Sequence, residues 1–182
     1  LYDGLRLPIA MTRVHRIDAF SSRGEGGNAA GVVLLDSALP AVQMQRIAAR
    51  MGLSETAFVY PHEQADRALR FFTPTAEVGL CGHATIASWH LLMEQGLFGP
   101  GAWQMWTPSG IQQIRCDSEG RVAMSQNLPQ FGPVLDPDPV ARCLGIDIAR
   151  LMDPDRLPVQ VASTGLHKIF APIRDLDSLM QI

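Results

Sequence analysis

The sequence lacks the features of a membrane-spanning or nucleic-acid-binding protein. None of its apolar stretches approaches the ~20 residues of a membrane span, and no basic run interleaves with aromatic residues. The net charge is −3, which argues against nucleic acid as a partner. A signal-peptide pattern, with a charged start, an apolar run and a small-residue cleavage site, is also missing. We therefore expect neither a nucleic-acid nor a membrane partner.

Cysteine is scarce, with Cys81, Cys116 and Cys143 as its three occurrences. Their odd number and wide spacing match neither a metal-ligand pattern nor a disulfide framework. A reducing, cytoplasmic setting is therefore expected. Residues 1–11, which run to the first methionine, are expected to be an extension outside the fold.

Hydrophobic residues are plentiful, at 47% of the chain, and one stretch of them stands out. Residues 84–93 are apolar on almost every side, and a helix that is apolar all round is a buried helix. Glu94 and Gln95 then supply a polar end, and Gly96 is typical of a helix stop. The pattern predicts a buried central helix from about Ala84 to Gln95.

The start of this helix is unusual, because Cys81, Gly82 and His83 occupy the position of its first free backbone N–H groups. A helix amino terminus favours anions and stabilises a thiolate. We interpret this end as facing a pocket. The alternative is a core helix that follows a plain glycine turn.

Short strand-like runs surround the central helix. They occupy residues 14–20, 30–35, 56–60, 68–72, 103–107, 111–116, 121–126, 159–162 and 166–173. Helical spacing between Pro40 and Gly52 predicts a surface helix. Residues 129–139, rich in proline and aspartate, are expected to be a crossover or linker, and short helices are expected near 140–144 and 176–180. This mixture indicates an α+β fold, with a curved sheet wrapped around the central helix.

A weak internal repeat indicates two lobes. The same order of features occurs twice in the chain. The first copy is Gly27-Asn28, an apolar strand and a helix start, and the second is Gly165, an apolar strand and a helix start near Leu176. The buried helix of the second copy would fall beyond Ile182. We therefore expect a complete amino-terminal lobe over residues 12–128, and a linker with the beginning of a truncated second lobe over residues 129–182.

Five residues are candidates for proton chemistry. Glu55, at a strand entrance among apolar neighbours, can act as general acid and base, or can be a solvated loop or cap residue. Cys81 can be a thiolate or a small buried hydrophobe, and His83 can bind a carboxylate or be a satisfied core histidine. Glu77 and Asp18 are expected to be structural.

Three segments, taken in order, resemble the PhzF family, the phenazine-biosynthesis-like isomerases of the diaminopimelate-epimerase fold. They are residues 27–34, 53–59 and 70–85, which read GNAAGVVL, LSETAFV and RFFTPTAEVGLCGHAT. The last is long and specific, and the resemblance runs from about Val14 to Ile182.

The resemblance implies two similar lobes, each a barrel-like sheet around a central helix, with the active site between them. It implies that Glu55 is the catalytic proton shuttle and that Asn28, Gly82 and His83 line the substrate site. Cys81 falls where related cofactor-independent racemases carry a catalytic cysteine, but PhzF-family members do not depend on it, so it is a candidate participant only. No cofactor or metal is implied, and a homodimer is expected.

The chain departs from the family pattern in two places. The usual Gly-Asn-Pro-Ala has Ala29 in place of proline, which removes a fixed φ. The second-lobe motif, a Gly-Asp-Pro followed by a glycine-serine helix start, has no counterpart before Ile182. That motif supplies the opposing acid, so the activity of this chain by itself is left open.

Three functional hypotheses follow from these observations. The first is a PhzF-like isomerase or epimerase that moves a proton on a small carboxylate-bearing metabolite without a cofactor. The second is an amino-acid racemase in which Cys81 is the base. The third is a truncated, non-catalytic protein that dimerises or binds a partner through exposed apolar surface.

Overall fold

The structure, a computed structural model, describes residues 13–22 and 24–182, which divide into two compact units. One unit ends at Ser125 and the other comprises Gln126–Ile182. The extension expected at residues 1–11 lies outside the described residues. Among the described helices, none is long and apolar enough to cross a membrane. The assignment of the two units to lobes stays a prediction.

The first unit is built from eight strands and two helices within its described residues. These are β1 (His15–Ala19), β2 (Asn28–Leu34), α1 (Ala41–Met51), β3 (Glu55–His62), β4 (Ala65–Phe72), β5 (Glu77–Val78), α2 (Gly82–Glu94), β6 (Gly101–Thr107), β7 (Gly110–Cys116) and β8 (Val122–Met124).

The strands of this unit form one mixed sheet that curls around α2. The strand order is β1-β2-β3-β4-β6-β7-β8, with β5 paired to β4. The β2–β3 and β4–β6 pairs are parallel, and the other pairs are antiparallel. Helix α2 contacts β1, β2 and β3 as well as β8 at the far end of the order. A sheet whose two ends touch one helix must curve around it, so the predicted α+β architecture is confirmed.

Helix α2 is buried as its apolar circumference predicts. Trp89 and Leu92 are 0% and 1% exposed and pack in the main core with strand residues such as Phe71 and Leu69. Burying a large apolar side chain contributes about 1.5–3 kcal/mol, so packing rather than capping stabilises this helix. It begins at Gly82, two residues before the predicted start.

Helix α1 covers the opposite face of the sheet. Its Met44 and Ala48 pack with Val33 and Phe58 in a second core, while Val32, the neighbour of Val33, belongs to the core around α2. Alternate strand residues point to opposite faces, so the central strands are apolar on both sides. Their near-continuous apolar runs follow from this double burial.

The second unit contains a three-stranded sheet and short helices. Its elements are β9 (Gln130–Val134), α3 (Pro137–Leu144), a 3₁₀ turn (Ile148–Arg150), β10 (Gln160–Ser163), β11 (His167–Phe170) and α4 (Leu176–Leu179). The strand order is β11-β10-β9.

The predicted linker over residues 129–139 is wrong. Residues Gln130–Val134 form β9, and Pro137 is the first residue of α3, capped by Asp136, whose side chain accepts a hydrogen bond from the backbone N–H of Asp138. Proline is tolerated on an edge strand and at the first helical position. The prolines of this segment therefore lie in or next to the edge strand β9 and at the start of α3.

The segment 73–79, which leads into α2, contains the two-residue strand β5. Phe71 pairs with Val78 and Phe72 with Glu77. The Glu77 carboxylate also accepts two hydrogen bonds from the Arg70 guanidinium, each 2.6 Å long. This bidentate pair fixes the segment that leads into α2.

Candidate active site

The amino-terminal end of α2 is open and has no side-chain cap. Cys81 occupies the cap position in an extended conformation (φ −142°, ψ 116°), and its side chain does not cap the backbone N–H groups of the helix. The first N–H groups of a helix have no intrahelical acceptor and carry partial positive charge. Gly82 is exposed, and apart from its two chain neighbours and the helix backbone no described atom lies within 4 Å of the place a Cβ would take there. The end therefore has both free donors and room for a small anion.

Glu55 lies beside this helix end because of the pairing between β2 and β3. It is the first residue of β3 and lies opposite Ala30 of β2, and both Ala30 and Ala57 face the core around α2. Since residues two apart share a face, Glu55 points to the same side. Its Oε2 lies 3.5 Å from Nε2 of His83, and the two side chains are 21% and 11% exposed.

His83 stands between three polar side chains. Its Nε2 is 3.3 Å from the hydroxyl oxygen of Ser54 as well as 3.5 Å from Glu55, and its Nδ1 is 3.3 Å from the sulfur of Cys81. The Ser54 hydroxyl also donates a 3.5 Å hydrogen bond to the carbonyl of Ala29. One ring nitrogen faces the carboxylate and the other faces the thiol, so the imidazole links them.

Asn28 lies at the start of β2, on the strand that neighbours Glu55. It is exposed and pairs with Ala19 across the sheet. It is two residues before Ala30 and so shares the face that looks towards α2. Gly27 precedes it with φ +88°, and a Cβ there would lie 2.8 Å from the carbonyl oxygen of Ala19. Only glycine suits this turn, which sets the position at which β2 begins.

The two acidic residues expected to be structural are held in ion pairs. Glu77 pairs with Arg70, and this hydrogen-bonded partner raises the pKa of the arginine above its usual value. Asp18 lies on the surface, 3.4 Å from a guanidinium nitrogen of Arg16. Neither carboxylate is in the group around His83.

Among the candidates, the structure brings Glu55, Cys81 and His83 together: one ligand atom from each lies within 4.8 Å of the others. Ser54 was not singled out from the sequence. Its position next to Glu55 in the LSETAFV segment was the available signal. A separate cavity of about 420 Å³ lies at the carboxyl end of α2, lined in part by His90, Glu94 and Phe98, and contains none of the predicted site residues.

Comparison with known proteins places the chain in a family. The model of the phenazine biosynthesis-like proteins, PhzC-PhzF, matches residues 17–182. YddE of Escherichia coli strain K12, named as an uncharacterized isomerase, is 36% identical over 178 residues, which cover 92% of this chain and 59% of YddE.

Solved structures agree with this match. A PhzF-family phenazine biosynthesis protein of Bacillus anthracis has a TM-score of 0.80 at 34% identity, with 92% of this chain and 57% of that chain covered. A predicted epimerase of Pseudomonas aeruginosa shares the fold, with a TM-score of 0.82 at 24% identity and coverage of 93% and 62%.

The α+β fold is that of the PhzF-family and epimerase-fold structures. The chain belongs to the PhzF family of phenazine biosynthesis-like proteins. It spans less than two thirds of the length of the relatives it matches.

Proposed function

We propose that this chain carries the proton-transfer half-site of a PhzF-family isomerase or epimerase that acts, without a cofactor, on a small carboxylate-bearing metabolite. The observation that carries the proposal is the position of Glu55. Its carboxylate lies 3.5 Å from His83 at the open, uncapped end of α2. A proton acceptor and an anion-binding helix end are thus side by side, which is the pairing that such a reaction needs.

Each residue has a distinct role in this proposal. The substrate carboxylate accepts hydrogen bonds from the free N–H groups at Gly82 and His83. Glu55 removes a proton from a neighbouring carbon, and the electron pair left behind is delocalised towards the carboxylate-bearing side of the substrate. In an isomerisation, Glu55 then gives this proton to a second carbon and ends the cycle in its starting state. In an epimerisation, a second acid protonates the opposite face of the carbon, and Glu55 passes its own proton to water. Asn28, on the same face of the sheet, lines the site.

His83 positions the shuttle. An imidazole 3.5 Å from the Glu55 carboxylate and 3.3 Å from the Ser54 hydroxyl limits the orientations that the carboxylate can take. A proton shuttle must come within roughly 2.6–3.2 Å of the proton that it takes. Restricting the carboxylate torsion therefore favours the productive geometry.

The alternative in which Cys81 is a racemase base is favoured by one observation, the 3.3 Å distance between its sulfur and Nδ1 of His83. Racemisation needs a second acid or base on the opposite face of the carbon. Cys116 is buried in the main core and Cys143 is exposed on α3, and neither belongs to the described group around His83. The proposal therefore rests on Glu55, with Cys81 as the next residue to test.

A deuterium-exchange experiment tests the role of Glu55. The chain is incubated in D₂O with a panel of small carboxylates that bear an acidic C–H bond, and mass spectrometry follows label entering each compound. Positioned acid–base groups contribute about 10²–10⁴-fold to rate, so Glu55→Gln should slow exchange by at least about 100-fold. Glu94→Gln, an exposed change at the other end of α2, is the matched control and should exchange at the wild-type rate.

The result that contradicts the proposal is wild-type exchange in Glu55→Gln, after which Cys81→Ser becomes the informative variant. If no panel member exchanges with the wild-type chain, the half-site proposed for this chain is insufficient by itself. The same comparison is then made in a longer family member that carries the corresponding glutamate.

We also propose that the protein works in the cytoplasm as a homodimer. Exposed apolar side chains on the small sheet support self-association: Val134 and Phe170 are 60% and 55% exposed, and both lie opposite Gln160 on β10. Apolar residues that share one exposed row of a sheet are typical of an interaction surface. The scarcity of cysteine supports the reducing compartment.

A further inference from the structure

Three different kinds of metal-binding side chain meet at the amino-terminal end of α2. They are the carboxylate of Glu55, the thiol of Cys81 and the imidazole of His83, and one ligand atom from each lies within 4.8 Å of the others. Zinc binds sulfur, nitrogen and oxygen ligands, and its open sites have three protein ligands and one free position. We propose that these three residues form a binding site for a divalent ion of the zinc class.

The distance between Cys81 and His83 is that of two ligands on one ion, and Glu55 lies near the same imidazole. Zinc lies about 2.3 Å from sulfur and 2.0–2.2 Å from nitrogen and oxygen, so ligand atoms on a tetrahedral ion are about 3.3–3.7 Å apart. The sulfur of Cys81 is 3.3 Å from Nδ1 of His83, and Oε2 of Glu55 is 3.5 Å from Nε2. The two contacts use opposite ring nitrogens. The ion therefore binds Nδ1 of His83, and rotation about the side-chain bonds of Glu55 brings its carboxylate into contact with the ion.

Two further features suit a metal. Oε2 of Glu55 is buried without a hydrogen bond to any described residue, so it has a lone pair to offer an ion. Ser54 lies 3.3 Å from Nε2 of His83, and a hydrogen bond there holds the ring while Nδ1 binds the metal on the Cys81 side. Such outer contacts orient ligating histidines in metal sites. The open space above Gly82 is the free fourth position.

The ligand set selects the ion. Thiolate and imidazole favour zinc and related transition metals, whereas magnesium and calcium prefer oxygen ligands. The cysteine must lose its proton to bind, so affinity should rise with pH. An ion in this place would occupy the Glu55 carboxylate and act as an inhibitor. That consequence rests on the proposed function, whereas metal binding itself does not.

Cobalt is the probe for the test, because Co²⁺ replaces zinc and a thiolate ligand gives a sulfur-to-cobalt charge-transfer band in the near ultraviolet. Titration of the 182-residue chain should give this band and saturate at one ion per chain. Zn²⁺ should abolish the band, and excess Mg²⁺ should not. Cys81→Ser should remove the band, and His83→Gln and Glu55→Gln should weaken binding by about tenfold or more.

Cys143→Ser is the matched control, because Cys143 is an exposed thiol on α3 of the other unit and its loss should leave the titration unchanged. A second measurement uses the unmodified chain: Zn²⁺ should protect Cys81, but not Cys143, from alkylation by iodoacetamide. The proposal is overturned if the wild-type chain gives no band, if the band survives in Cys81→Ser, or if zinc gives Cys81 no protection. None of these readouts requires catalytic activity.

Discussion

Replacing Gly82 by alanine separates stability from binding at the amino-terminal end of α2. Gly82 is the first residue of the helix, and its φ lies outside the left-handed region that only glycine favours. Apart from its two chain neighbours and the helix backbone, no described atom lies within 4 Å of the added Cβ. The methyl group therefore meets no steric cost in the fold, while alanine is preferred over glycine in helices.

The magnitudes follow from this geometry. Glycine-to-alanine changes at compatible positions stabilise proteins by about 0.4–1 kcal/mol, so the free energy of unfolding should rise slightly. The same methyl group projects into the space where a substrate carboxylate would rest. Losing one hydrogen bond to a charged group costs about 1.5–3 kcal/mol, which corresponds to a loss of roughly tenfold to a hundredfold in carboxylate affinity.

The assay measures both quantities on the same samples. Urea unfolding gives the stability, and NMR titration with the small carboxylates used for deuterium exchange gives the affinity. Gly99→Ala is the matched control, since Gly99 is also exposed, has no left-handed φ and has no described atom within 4 Å of an added Cβ. Unchanged carboxylate affinity in Gly82→Ala would refute the proposed binding site at the helix end. A clear loss of stability would refute the inference that the added methyl group meets no steric clash.

Two further predictions concern other parts of the chain. Burial, followed by the charge of Asp117, raises the pKa of the Cys116 thiol. Near pH 8, iodoacetamide should therefore modify Cys116 far more slowly than exposed Cys143, and mass spectrometry measures both rates. Similar rates for the two thiols would contradict this prediction. Because the folded protein favours the neutral thiol of Cys116, this preference adds to the free energy of unfolding at pH values below the ordinary thiol pKa. The added stability is lost as the pH rises through the raised pKa of Cys116. Phe170→Ser should shift a dimer towards monomer in light scattering, whereas a wild-type chain that is already monomeric would refute self-association.

Local sequence patterns were sufficient for much of the fold. The apolar circumference of residues 84–93 predicted the burial of α2, because a helix without a polar face has no side to turn to solvent. Gly52, in the left-handed region with φ +62°, ends α1 as predicted. The prediction failed where strand pairing outweighs composition, as in β9, whose single proline, Pro133, is tolerated on an edge strand.

The site was less accessible to local reasoning. Glu55 and His83 meet because the chain leaves β2, forms α1 and returns in the parallel strand β3, which places the start of β3 at the end of α2. Neither spacing nor hydropathy predicts that crossover, and the family resemblance implied only that Glu55 and His83 belong to one site. The contacts of His83 with Ser54 and Cys81 depend on side-chain torsions, which sequence patterns do not determine.

Under the proposed function, the group around His83 suits proton relocation better than racemisation. A racemase must deliver a proton to the face opposite the one it deprotonates, so it needs two groups on either side of one carbon. In the described structure, Glu55 and Cys81 contact opposite ring nitrogens of one histidine at the amino-terminal end of one helix, and the proposed mechanism gives the moving proton to Glu55. A single carboxylate can instead take a proton from one carbon and return it to another on the same face. In the proposed mechanism, Glu55 carries out this transfer, and the anion-binding end of α2 keeps the substrate in place between the two steps.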